Sequence, residues 1–302
     1  MAHNASSSTE MAINAHRLDF TSGVNGKNYR LLVSVPAGEA PEGGWPVVYL
    51  IDGSLHFGIA VDTARIQARW PESRDPVIVG IAYQTDSVAE ALQVRNHDLT
   101  PDIKPYLTDT GWMKAMGSKP EDYGGLHDYL RMIEEEVKPK VAGIAPVNPG
   151  DQILMGHSLG GLTTLYTLLH NPGAFQQYVA ISPSIWFNDC WVTGFVDGFV
   201  NALEAGKVDA RLLLSTGEFE EIDPPFPPYP KTGFPASEED YRGMIHDCGM
   251  VRFPRAIAER LEPLRSSRFD IRFVVHPEED HRTVVPAGIA RGIFYTMYRP
   301  AT

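Results

Sequence analysis

Apolar residues in this chain gather in short blocks separated by turn-forming residues. Residues 29–35, 45–51, 76–82, 152–156, 177–182, 211–215 and 269–275 are alternating or continuous apolar runs, and each is expected to form a β-strand. Several, such as Val47-Val48-Tyr49-Leu50-Ile51, are apolar on both faces, as strands are when helices cover both sides of a parallel sheet. Between the blocks, apolar positions recur at helical spacing over 56–69, 125–141, 161–170, 251–264 and 286–298. From about residue 45 onward strand and helix alternate. The expected fold class is therefore α/β: a doubly wound, mostly parallel sheet with right-handed crossovers, helices on both faces and a ligand site beyond the carboxyl ends of the strands.

Residues 1–14 are rich in Ser, Ala and Asn without periodicity and read as a disordered lead-in, leaving 15–302 as one domain. Two segments do not fit the alternation. Residues 99–124 read as a long loop, and 222–248 as an insertion that contains Pro224-Pro225-Phe226-Pro227-Pro228-Tyr229-Pro230. Loops of this length are usually functional or disordered. The aromatic content of the insertion favours function, and it leaves the sheet at the end where ligands bind, so it is expected to act as a lid lining the site with Phe226 and Tyr229.

The chemistry is concentrated at Gly156-His157-Ser158-Leu159-Gly160, between the apolar run Gln152-Ile153-Leu154-Met155 and the helix-like run that begins at Gly161. A serine on a sharp strand-to-helix turn is lifted above the sheet, where a histidine can take its proton and backbone N–H groups can receive an oxyanion. Such a turn needs small residues two before and two after the serine, and Gly156 and Gly160 supply them.

In an α/β-hydrolase arrangement the partners follow in the order serine, acid, histidine. Past Ser158 and a plausible acid strand lie His246, His276 and His281. His246 falls in the insertion and His276 ends a strand. His281 sits in the loop before the last helix and is the expected base, with His276 as the alternative. The acid should come from Thr216-Gly217-Glu218-Phe219-Glu220-Glu221, directly after a strand. Glu220 has the expected spacing after the glycine, and Glu218 is the alternate. For the oxyanion, one donor is the N–H of Leu159 and the other that of Ser54, or alternately Gly53, after the strand at 45–51.

Composition narrows the function. The net charge of −12 argues against a nucleic-acid partner. No apolar stretch reaches bilayer length and the N-terminus has no signal-peptide core, so a cytoplasmic protein without a membrane partner is expected. Cys190 and Cys248 have no metal-like spacing, so free thiols, no metal and no cofactor are expected. The sequence leaves self-association open.

The segments Tyr49-Leu50-Ile51-Asp52-Gly53, Arg95-Asn96-His97-Asp98-Leu99-Thr100-Pro101, Gly156-His157-Ser158-Leu159-Gly160-Gly161, Ser182-Pro183-Ser184-Ile185-Trp186, Gly217-Glu218-Phe219-Glu220 and Asp280-His281-Arg282-Thr283-Val284-Val285-Pro286 together resemble an esterase family of α/β-hydrolases. That family includes esterase D-like enzymes, mycolyltransferases and intracellular ferric-siderophore esterases, and the resemblance is greatest to the last group. It implies Ser158 as nucleophile, His281 as base, and Arg95 and Trp186 near the substrate mouth. This chain departs from that group in its proline-rich insertion and its acidic balance, although a local basic mouth of Arg95, Lys104 and Arg282 would offset the charge. The expected function is a serine carboxylester hydrolase acting on a small to medium ester, including siderophore-type lactones. The alternatives are an acyltransferase using the same acyl-enzyme and a non-catalytic binding protein of the same fold.

Overall fold

The computed structural model describes residues 15–109, 111–115, 117–222 and 238–298. Its strands are β1 (Ala15–Thr21), β2 (Asn28–Ser34), β3 (Trp45–Ile51), β4 (Val77–Tyr83), β5 (Val147–His157), β6 (Gln177–Ile181), β7 (Ala210–Gly217) and β8 (Phe269–His276). They form one eight-stranded sheet in the order β1-β2-β4-β3-β5-β6-β7-β8. β2 runs antiparallel to β1 and β4, and the remaining pairs are parallel. The main helices are α1 (Gly53–Gln67), α2 (Val88–Asp98), α3 (Leu126–Met132), α4 (Leu159–His170), α5 (Val196–Glu204), α6 (Glu238–Cys248), α7 (Arg252–Leu261) and α8 (Val284–Met297).

Because successive side chains on a strand point to opposite faces, the apolar runs feed two cores. Tyr49, Leu154, Tyr178 and Leu212 pack under Leu126, Leu165, Phe199 and Leu261 of α3, α4, α5 and α7. Val48, Leu50, Met155, Val179 and Leu213 pack under Ala60 and Val61 of α1 and Ile289 and Ile293 of α8. From β3 the chain steps to β4 on one side and later returns to β5 on the other. A reversal of this kind opens a crevice at the carboxyl ends of the two central strands. Among the described residues no helix is long and apolar enough to cross a membrane.

The structure adds elements that the pattern does not announce. β1 is partly exposed along most of its length, so its alternation is weak. α2 is capped by Ser87, whose hydroxyl accepts from Glu90 N at 3.3 Å, but only Asp98 is buried on it, so it has no apolar stripe. α5 carries Gly198 in its interior, which weakens the helical signal. Segment 99–124 is not a bare loop but holds 3₁₀ turns at Pro105–Asp109 and Pro120–Asp122 and a short helix at Gly111–Ala115. The helix expected over 125–141 forms in pieces: α3, a π-helical turn at Ile133–Val137 and a last helical turn at Lys138–Ala142. The insertion at 222–248 ends in α6, whereas its proline-rich stretch, with Phe226 and Tyr229, lies outside the described residues, as do residues 1–14.

β5 lies in the middle of the sheet and feeds both cores. Leu154→Ala, which truncates a fully buried side chain there, is expected to cost about 3 kcal/mol in urea unfolding. A loss below about 1 kcal/mol would place this strand outside the cooperative core.

Candidate active site

Ser158 follows β5 directly and has φ 61° and ψ −120°, a left-handed backbone that a non-glycine residue adopts only under constraint. The constraint is visible on both sides. Ser158 N donates to the Ile181 carbonyl at 3.0 Å, while its own carbonyl accepts from Leu162 N at 2.9 Å and Ser184 N at 3.1 Å. The turn is so tight that a Cβ on Gly156 would fall 2.3 Å from the Gly160 carbonyl oxygen. The Ser158 hydroxyl has Ser184 Oγ as its hydrogen-bond partner, at 3.3 Å.

Glu220 lies in the 3₁₀ turn that follows β7 and is almost fully buried. A carboxylate there must be hydrogen-bonded, and the ends of two neighbouring strands meet that need. Its Oε1 accepts from Gly217 N at 2.6 Å, Ser182 Oγ at 2.5 Å and Thr216 Oγ1 at 3.1 Å. Its Oε2 lies 2.5 Å from His281 Nδ1. Because a carboxylate can only accept, Nδ1 is the donor of this bond, and in the neutral imidazole that leaves the lone pair on Nε2. The alternate acid, Glu218, instead accepts from Glu278 N at 3.0 Å and so braces the loop before His281 without touching the imidazole. The alternate base, His276, is buried at the end of β8, and its Nε2 has no hydrogen-bond partner.

Ser158, Leu159, Glu220 and His281 share the wall of a cavity of about 310 Å³, together with Arg95, Trp186, Tyr123, Phe187, Phe219 and Met250. α6 adds Ile245 and Cys248, so the last part of the insertion borders the cavity. Gly53 and Ser54 are not on this wall. Gly53 packs so closely on Gly80 that a Cβ there would meet its backbone at 2.4 Å, and Ser54 is exposed. Their turn still abuts the elbow, since a Cβ on Gly160 would lie 3.1 Å from Ile51 Cγ2 and 3.5 Å from Asp52 Oδ2.

The basic mouth does not form as expected, because each of its cations has a carboxylate partner. Arg95 Nε and Nη2 bind the Asp52 carboxylate at 2.7 and 2.8 Å, and Nη2 also reaches the His157 carbonyl at 3.3 Å. Arg282 Nη2 lies 2.7 Å from Asp280, and Lys104 Nζ lies 3.3 Å from Asp189. Lys104 is also absent from the cavity wall. His246 is exposed on α6. Cys190 and Cys248 are not joined in a disulfide, and among the described residues no group of three or more His, Cys, Asp or Glu is placed to hold a metal ion. The sequence reading missed Ser182 and Thr216, whose one signal was a polar residue at the end of an apolar strand.

Three further imidazoles stand around the site, His56 and His276 buried and His157 half-buried with its Nε2 enclosed. His157 packs on His281 with ring centroids 4.5 Å apart and on His56 at 5.9 Å. Burial holds His157 well below the ordinary histidine value and also lowers His56 and His276. All three therefore favour the neutral form in the folded protein.

A family model described as "Putative esterase" matches residues 22–221 of the chain. Among curated proteins, the ferri-bacillibactin esterase BesA of Bacillus subtilis (strain 168) is 30% identical over 276 residues, covering 90% of this chain and 86% of that relative. A siderophore enterobactin esterase of Emericella nidulans is 31% identical over 280 residues, 88% of each chain. Among solved structures, the BES protein from Bacillus cereus superposes with a TM-score of 0.79 at 27% identity, covering 98% of this chain and all of the other. The siderophore hydrolase EstA from Aspergillus nidulans has a TM-score of 0.77 at 27% identity, covering 97% of this chain and 98% of the other.

The buried histidines set a pH dependence of stability. A histidine lowered by burial takes up a proton on unfolding, so the unfolded chain binds more protons once the pH falls below about 6.5, and stability declines towards acid. The urea midpoint is expected to be lower at pH 5.5 than at pH 7.5, with a smaller drop in His157→Phe. A midpoint that is flat or rises over that interval would contradict the burial of neutral imidazoles.

Proposed function

The chain belongs to the family described as "Putative esterase" and is an esterase of the α/β-hydrolase fold; from that premise we propose that Ser158 is its nucleophile, His281 its general base and Glu220 the carboxylate that orients the imidazole. The observation that carries this reading is the 2.5 Å contact between His281 Nδ1 and a buried Glu220, on the wall of the cavity that also holds Ser158. With Nδ1 fixed as the donor, Nε2 is the nitrogen that accepts the serine proton.

In the proposed reaction Ser158 Oγ turns from Ser184 to His281 Nε2, gives up its proton and attacks the ester carbonyl. The N–H of Leu159, at the start of α4, receives the oxyanion. The turn at Gly53 and Ser54 is off the cavity wall but abuts the elbow at Gly160, and we take the second donor from one of its N–H groups, since the first N–H groups of a helix have no intrahelical acceptor. As the tetrahedral intermediate collapses, His281 returns the proton to the leaving alkoxide. Water, activated by the same imidazole, then releases the acid from the acyl-enzyme. The relatives named above are esterases or hydrolases, which supports water over another alcohol or thiol as acceptor.

The substrate we propose is a siderophore-type ester, as the relatives' names suggest, held against Trp186 and Arg95. The paired cations and the net charge of −12 favour an uncharged ester over a polyanionic one. Ile245 and Cys248 of α6 on the cavity wall support a lid role for the insertion. The two unbridged cysteines fit a cytoplasmic setting.

On p-nitrophenyl acetate, Ser158→Ala and His281→Ala are each expected to lower kcat by about 10³-fold or more, with no further loss in the double variant, because the pair acts as one proton-transfer unit. Glu220→Gln should slow turnover far more than Glu218→Gln. Multiplicative losses in the double variant, or the reverse order for the glutamates, would reassign the roles.

A further inference from the structure

A second cavity, of about 230 Å³, adjoins the catalytic one, and Met113, Trp186 and Cys248 belong to the walls of both. Beyond these three side chains Ile103, Leu107 and Met244 make most of its wall apolar, with Gly111 and the amide of Asn188 completing it. Asp189 and Asp247 also border it, and both carboxylates are largely exposed, so they mark its outer end. The mechanism makes no use of this space.

Its wall is held in place at an energetic cost. Asn188, Asp189 and Cys190, just past Trp186, have φ of 53°, 61° and 56°, a left-handed turn without glycine. Each such residue is unfavourable, and a run of them persists only where the surroundings impose it. Asn188 supplies that hold. Its Oδ1 accepts from Lys104 N at 3.1 Å, and its Nδ2 donates to the Asp102 carbonyl at 3.0 Å. The turn is thereby tied to the neighbouring segment 102–104, which steadies the wall at Trp186 between the two cavities.

We propose that the second cavity is a subsite for a second, uncharged arm of the ester substrate, seated beyond Trp186 while the scissile ester lies at Ser158. This rests on the assignment of Ser158 above. The apolar lining suits an arm with an aromatic or aliphatic body. The outer carboxylates act against an anionic end, since Lys104, which bonds Asp189, is already engaged in that pair. The structure therefore favours esters in which two neutral arms are joined by a short spacer.

The test compares a neutral diester, two benzoyl arms on a short diol, with its one-armed half, using wild type, Met244→Trp and Asp247→Lys. Met244→Trp fills the second cavity and should lower the ratio of kcat/KM for the two-armed over the one-armed ester by about tenfold, mainly through KM. Asp247→Lys changes an exposed residue that the fold tolerates. It should improve, by roughly threefold or more relative to the neutral diester, an analogue whose distal arm ends in a carboxylate. If Met244→Trp slows both esters alike, or if Asp247→Lys leaves the preference unmoved, the subsite is overturned, and the second variant decides alone should the first fail to fold. Turnover of the one-armed ester by Ser158→Ala would overturn the nucleophile assignment, separately from the subsite.

Discussion

The carboxylate of Glu220 is where separate parts of the chain are forced into one geometry. Buried at the carboxyl edge of the sheet, it collects donors from the end of β6 through Ser182, from the end of β7 through Thr216 and Gly217, and from the loop after β8 through His281. A charge in that position has no access to water, and leaving it unpaired would be strongly destabilising. The same bonds that satisfy the carboxylate therefore lock the imidazole tautomer. Stability and the proposed catalysis draw on one interaction, and the strained elbow depends on the same strands, since Ser158 N is bonded to the last carbonyl of β6.

Around this centre, charge is balanced locally. Arg95 is held by Asp52, Arg282 by Asp280 and Lys104 by Asp189, so the cavity of this acidic protein presents few uncompensated charges. Burial pushes the neighbouring His157 and His56 towards the neutral form. A neutral, largely apolar cavity strengthens the few directed interactions aimed at a reacting carbonyl, because little solvent is left to screen them. The proposed preference for an uncharged ester rests on the same balance, since a polyanionic ligand would have to compete with carboxylates already in place for each cation.

Much of this was legible in the sequence. The parallel strands carried their signal as continuous apolar runs, and the elbow motif, chain order and spacing favoured Ser158, His281 and Glu220 over the alternates His276 and Glu218; the fold brings the favoured three to one cavity. What escaped the sequence depends on tertiary partners. Arg95, Lys104 and Arg282 read as a basic mouth until their carboxylates were seen, and those of Arg95 and Lys104 lie far away in sequence. Ser182 and Thr216 looked like ordinary strand ends. β1 and α2 bury too little apolar surface to leave a periodic trace. The proline-rich composition of 222–248 concealed α6 at its far end.

The account turns on Glu220 fixing the proton of His281 on Nδ1, and proton NMR reads that bond directly. A far-downfield resonance, assigned to His281 by its disappearance in His281→Ala, is expected in the wild-type protein. It should persist in Glu218→Gln and be lost, or moved strongly upfield, in Glu220→Gln. A resonance that survives Glu220→Gln unchanged, or that vanishes in Glu218→Gln alone, would contradict the account.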